Sequence, residues 1–362
     1  MRIRDFLSGF EAYAWEEPSR SIAERYGLAE EDIIRFDLNT SPYKPVETLR
    51  EVELEEIDIH QYPDTSYSSL REKLTSYTGF SIDSFVITNG ADEALDIIAK
   101  VFIESGDEAV ISTPTYSYFR IVTEVMGGKP KYVMRRKDGF SDDIEAILEG
   151  VNKRTKVIFL CSPNNPTGNL TPERDVEKLL SETDAAVVVD EAYYEFCGRT
   201  VADLTRRYGN LIVVRTFSKA FAMAGARVGY IIAAEETVRW LNKVRPPNSL
   251  SIPSLKLAEK ALEHVDAVKR NVRLLMEEKE FMNRELSALE GVRVFPSEAN
   301  FLLVKFLETP ADEVHAKLMQ RGLILRNLSS VPGLENCLRI TIHKPENNRK
   351  LLASLRHALR SM

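Results

Sequence analysis

From about residue 80 to residue 235 the chain alternates between two textures. Short runs rich in β-branched residues, namely Phe85 to Thr88, Ala109 to Ser112, Val157 to Leu160, Ala186 to Val189, Leu211 to Thr216 and Val228 to Ile232, are apolar at nearly every position. A strand of that kind is covered on both faces. Between the runs lie amphipathic stretches such as Asp92 to Glu104, where Ala94, Leu95, Ile98 and Phe102 recur at helical spacing. Strand and helix alternating in this order predict an α/β fold with right-handed crossovers and a mostly parallel sheet covered by helices.

The texture changes after Arg245-Pro246-Pro247. Residues 254 to 289 read as one long, highly charged helical region. Two strands follow, Val292 to Phe295 and Phe301 to Phe306, then a helix, strands near Leu323 to Arg326 and Leu338 to Ile342, and a helical C-terminus from Pro345 to Arg360. This predicts a smaller α+β domain. The expected division is a large domain over residues 45–245 and a small, discontinuous one over 1–44 and 246–362.

Composition narrows the functional classes. With 44% hydrophobic and 28% charged residues the chain is that of an ordinary globular protein. A formal net charge of −7 argues against a nucleic-acid partner. No apolar run is long enough to span a bilayer, and the start lacks the apolar core of a signal peptide. Cys161, Cys197 and Cys337 have neither metal-ligand spacing nor an even count, so each is expected to be a reduced, buried small hydrophobe in a cytoplasmic protein without a structural metal.

Five short segments carry candidate chemistry. Asp190 ends the run Val187-Val188-Val189, and Lys219 closes Arg215-Thr216-Phe217-Ser218-Lys219. Buried parallel strands deliver side chains to the carboxyl edge of a sheet in this way, and ligands bind there. A lysine so placed is a candidate Schiff-base nucleophile, and an acid beside it could pair with a pyridinium nitrogen; each alone could equally be a surface charge. Asn89-Gly90-Ala91-Asp92-Glu93 follows a strand and opens a helix, whose first amides suit a phosphate, although Asp92 also fits a plain helix-start acid. In Pro114-Thr115-Tyr116 the tyrosine could stack on a flat heterocycle or simply fill a rim. Ser162-Pro163-Asn164-Asn165-Pro166-Thr167-Gly168 fixes an unusual loop whose asparagine can donate to a phenolate-like oxygen, which Tyr193 could also reach. Ser218 and Arg227 would add charge-assisted bonds to a phosphate.

With Val188–Phe196, Ala224–Tyr230, Ser297–Phe301 and Leu338–Ile342, these segments resemble the pyridoxal-phosphate aminotransferases of the type I fold, and within them the histidinol-phosphate aminotransferase family. The likeness runs from near residue 39 to 342. It implies that Lys219 binds the cofactor aldehyde and then moves the α-proton, and that Asp190 pairs with the ring nitrogen. It further implies that Asn165 and Tyr193 hold the ring oxygen and that Tyr116 stacks on the ring. The phosphate would be held by the amides of Ala91 and Asp92, with Ser218 and Arg227. Tyr62 matches a tyrosine lent to the neighbouring subunit's phosphate site, which implies a homodimer with shared active sites. Arg339 matches the arginine that grips a substrate carboxylate, Arg326 lies at a position near a substrate phosphate, and Asn39 belongs to the substrate loop. A small-molecule amino donor and a 2-oxo acid acceptor are the implied partners.

Four departures from the family pattern lie outside the cofactor set. Thr40-Ser41 stand where a second asparagine and an acid are usual, and Gly9 to Tyr13 replace a proline-tyrosine entrance. Asn248 follows Arg245-Pro246-Pro247 without an intervening aromatic, and Ala222-Met223 replace a glycine after the lysine segment. Four functions fit this reading: a histidinol-phosphate aminotransferase, an aromatic or broad-range aminotransferase, a threonine-phosphate decarboxylase, or a regulatory protein that kept the fold without catalysis.

Overall fold

The computed structural model describes residues 2–53, 55 and 57–360. Among the described residues twelve strands form two sheets. They are β1 (Ile34–Phe36), β2 (Phe85–Thr88), β3 (Glu108–Thr113), β4 (Lys129–Met134), β5 (Thr155–Cys161), β6 (Ala186–Asp190), β7 (Leu211–Thr216), β8 (Gly229–Ala233), β9 (Val292–Phe295), β10 (Phe301–Phe306), β11 (Leu323–Asn327) and β12 (Cys337–Thr341).

The larger sheet has the order β2-β8-β7-β6-β5-β3-β4. The pairs from β7 through β4 are parallel, while β8 runs against both of its neighbours. Apolar residues at every position of the central strands feed two separate cores. Ile158, Leu160, Val187, Val189 and Val213 pack on one face, and Val157, Phe159, Val188, Ile212 and Val214 on the other. All ten are fully buried, as expected of a parallel sheet sandwiched between helices. Strand β4 escapes the sequence pattern because it is an edge, with Lys129, Lys131, Tyr132 and Met134 in solvent and only Val133 buried.

The smaller sheet has the order β1-β11-β12-β10-β9, with β1 and β11 parallel and the other pairs antiparallel. Its inner face packs Leu302, Val304, Leu338 and Ile340 against Leu275 and Met282 of the long helix Val265–Ser287 and Leu351 and Leu355 of Pro345–Arg360. Strand β1 is three residues long and reads as nothing periodic in the sequence; it adds the N-terminal segment to this sheet.

The charged stretch from 254 to 289 is two helices rather than one. Ile252–Glu263 is capped by the Ser251 side chain, and Val265–Ser287 starts after His264, whose backbone leaves the helical region. The first helix buries Leu255, Ala258 and Ala261 in the core of the larger sheet, and Val265 and Val268 at the start of the second pack against the same core. Among the described residues no helix is long and apolar enough to cross a membrane. Cys161 and Cys337 are buried and Cys197 is partly exposed, and all three are free thiols.

Candidate active site

The carboxyl ends of β2, β3, β5, β6 and β7 share one edge of the larger sheet. Strand β8 runs the other way, so its entry, with Arg227 just before it, reaches the same edge. From β3 the chain steps outward to β4, while β5, β6 and β7 step the other way. That divergence opens a crevice, the usual ligand position in such sheets. A cavity of about 370 Å³ lies there, walled on the far side by the smaller sheet, and Lys219, Asp190, Asn165, Tyr116, Arg326 and Arg339 all line it.

Asp190 closes β6 and is 4% exposed. Its Oδ1 accepts from the Ala192 amide at 2.9 Å, and burial pushes its pKa up to about 7. Lys219 follows β7, the neighbouring strand, and its Nζ donates to the Leu38 carbonyl at 3.4 Å. Burial first, and then the Arg339 guanidinium, bring its pKa down to about 8. The two groups are therefore shifted towards each other, an amine able to lose its proton and a carboxyl able to keep one.

Asn164 and Asn165 divide their labour. Asn164 is fully buried and ties two loops together, accepting from Thr115 Oγ1 at 2.7 Å and donating to the Pro114 carbonyl at 3.0 Å. Asn165 faces the cavity, and its Oδ1 accepts from Arg339. The loop closes on Gly168, at φ +80°, where a Cβ would fall onto the Ser297 side chain. Tyr193 Oη accepts from Asn39 Nδ2 at 2.9 Å, which leaves the phenolic proton free for a ligand oxygen, and burial raises its pKa. Asn39 Oδ1 in turn accepts from Thr341 Oγ1 at 2.9 Å.

At the phosphate end, Arg227 Nη1 lies 3.4 Å from Ser218 Oγ and its Nη2 donates to Asp92 Oδ2 at 3.0 Å. The amides of Ala91 and Asp92 were the expected ligands; here the Asp92 carboxylate itself sits on the guanidinium and accepts from Tyr116 Oη at 2.8 Å. The guanidinium already holds one anionic group here, so the donor set suits an anion. Gly90, at φ +80°, makes the close approach possible, because a Cβ there would lie 2.6 Å from Arg227 Nη2. Anion donors at one end, a buried acid at the other and an aromatic wall at Tyr116 fit a flat, phosphorylated pyridine.

On the opposite wall, Arg339 is 7% exposed, donates to Asn165 and to the Asp37 carbonyl, and keeps an Nε with no partner. Arg326 stands directly across from it in the β11–β12 register. Tyr62 does not line this chain's cavity and is 82% exposed. Tyr13 and Glu16 are among the lining residues that the sequence reading does not assign to the site. They come from an irregular stretch near the N-terminus, and only the altered entrance around Tyr13 hinted at a role. Among the described residues no group of three or more His, Cys, Asp or Glu is placed to hold a metal ion.

Residues 31–355 match the family described as aminotransferase class I and II. The chain is 37% identical over 361 residues to a histidinol-phosphate aminotransferase of Methanocaldococcus jannaschii, covering 98% of this chain and 96% of that protein. It is 38% identical over 340 residues to the enzyme of the same name from Methanosarcina barkeri, covering 93% and 92%. Among solved structures it superposes on histidinol-phosphate aminotransferase from Sinorhizobium meliloti in complex with pyridoxal-5'-phosphate, with a TM-score of 0.89, 25% identity and coverage of 99% and 98%.

Proposed function

The chain belongs to the aminotransferase class I and II family, and from that premise we propose that it carries the amino group of histidinol phosphate to 2-oxoglutarate with pyridoxal 5'-phosphate as its cofactor. The observation that carries the substrate assignment is the pair Arg326 and Arg339. They face each other in register on neighbouring strands and line one cavity with Lys219. Like charges directly opposite are unfavourable in a sheet unless an anion joins them. A phosphate, with oxygens enough for both guanidinium groups, satisfies that wall.

Pyridoxal 5'-phosphate, when bound, supplies an aldehyde for the amine and an electron-withdrawing ring for the negative charge that develops at the α-carbon. The chain supplies the rest. Ala91 and Asp92 amides, Ser218 and Arg227 would hold the cofactor phosphate, and Tyr116 would lie against the ring. Asp190 would hold a protonated ring nitrogen, which gives its buried charge the cationic partner it lacks. Asn165 Nδ2 and the Tyr193 hydroxyl would donate to the ring oxygen. Lys219, with a pKa near 8, is partly neutral at physiological pH and is the group able to take and return the α-proton. Arg326 and Arg339 orient the substrate so that its α-carbon faces Lys219. Asn39 shapes that side of the pocket through Tyr193.

Tyr62, 82% exposed, would complete the phosphate site of a second copy, so the working form would be a homodimer. The test is glutamate formation by the purified holoenzyme from histidinol phosphate and 2-oxoglutarate. Lys219→Ala is expected to abolish it, and Arg326→Ala to lower kcat/KM roughly 10–100-fold, the loss of one charged hydrogen bond. Turnover of aromatic amino acids without histidinol phosphate would overturn the substrate assignment. Carbon dioxide release from threonine phosphate would assign the decarboxylase instead.

A further inference from the structure

The substrate wall carries a feature that neither arginine explains. Glu16 Oε1 lies 3.4 Å from Arg326 Nη1, and both side chains are about one-third exposed at 29% and 31%. The Tyr13 hydroxyl is 3.5 Å from the same carboxylate oxygen. The other acid nearby is already engaged, since both Asp37 oxygens are held by Arg35 at 2.6 and 2.8 Å. Glu16 is therefore the carboxylate available to Arg326, and it reaches only one of the two arginines.

Its attachment is loose at the contact and firm at the ends. Residues 11–17 have no regular structure. The Glu11 carbonyl accepts from Arg120 Nη2 at 2.6 Å, and the Glu17 carbonyl from Arg35 Nη1 at 2.8 Å. Pinned on both sides, Glu16 stays within reach of Arg326 and competes at high local concentration with any incoming anion. A single, long, partly exposed ion pair is also weak enough to give way.

We propose that Glu16 is a specificity-determining residue: a built-in, displaceable anion on Arg326 that sets how strongly the enzyme prefers substrates with an anionic distal group. A neutral side chain leaves the pair in place. A monocarboxylate exchanges one charge for one. A phosphate engages both Arg326 and Arg339, so it displaces Glu16 where a weaker anion does not. This inference rests on the assignment of Arg326 to the distal anion given above.

The experiment compares kcat/KM for histidinol phosphate and for unphosphorylated histidinol in wild-type holoenzyme, Glu16→Gln, Arg326→Met and the double variant. Glu16→Gln is expected to raise the phosphorylated-to-unphosphorylated ratio about tenfold, through KM, and to have no effect on the ratio in the Arg326→Met background. An unchanged or lowered ratio would overturn the proposal, and so would an equal rise in the Arg326→Met background, which would mark a general charge effect. If the wild type turned over neither compound, the substrate assignment would fall on its own. Glu16 would then be read on glutamate against phenylalanine, where the same rise supports the proposal and its absence overturns it.

Discussion

Asp190 has almost no contact with water, and among the described residues its charge is supported by the Ala192 amide and, at a distance, by Lys219. Burial raises its pKa from 3.8 to about 7, so the folded chain without cofactor holds a proton that the unfolded chain releases. The stability this contributes is complete below pH 3.8 and is lost as pH rises through 7. Asp190→Asn keeps an acceptor for Ala192 but cannot titrate. The wild-type advantage over this variant, measured by urea unfolding of the apoprotein, should shrink by roughly 2–3 kcal/mol between pH 5 and pH 8. A constant difference would mean that Asp190 is ionised throughout. The same variant should bind the cofactor less tightly, since it has no charge to offer a ring nitrogen. At this scale the reactive groups were legible in the sequence, because each one ends an apolar run. Glu16 was not, because its partner Arg326 is 310 residues away and nothing in either neighbourhood points to the other.

Backbone conformation explains one departure from the family pattern at the level of an element. The turn that follows Lys219 places Ala222 at φ +59°, with its amide bonded to the Lys219 carbonyl. The family pattern that the sequence resembles would place glycine here, and glycine enters the left-handed region without a Cβ penalty. Ala222→Gly is expected to stabilise the protein by about 0.5–1 kcal/mol, the relief of that strain less the extra freedom gained by the unfolded chain. A lower urea midpoint would contradict this. Element boundaries were harder to read than element types. The break at His264 has no Gly or Pro to announce it, and past its first turn the second helix serves a different core. Strand β4 lacked an apolar run because its outer positions face solvent.

Across the whole molecule the exposed apolar residues are unevenly spread. Trp15, Ile59 and Tyr62 are each more than three-quarters exposed, at 83%, 78% and 82%. Ile59 and Tyr62 sit in the segment proposed to reach a second copy. A homodimer with shared sites predicts complementation. Lys219→Ala chains and Tyr62→Ala chains, unfolded and refolded together, should form a mixed dimer with one intact site and recover activity above that of either variant alone. Recovery no greater than the simple average would place Tyr62 outside any shared site.

Periodicity alone was enough to determine the α/β class, six of the seven strands of the larger sheet and the positions of Asp190 and Lys219, because a buried strand must be apolar along its length and polar where it ends. Those are local consequences of burial and are written in consecutive residues. Tertiary structure decided which residues meet. Strand register sets Arg326 against Arg339, and the Gly90 backbone lets Arg227 reach the loop beside it. The path of the N-terminal segment brings Glu16 to the same wall. Contacts of that kind depend on how separate elements pack, over separations from 13 residues between Arg326 and Arg339 to 310 between Glu16 and Arg326, and no single short run of the chain encodes them.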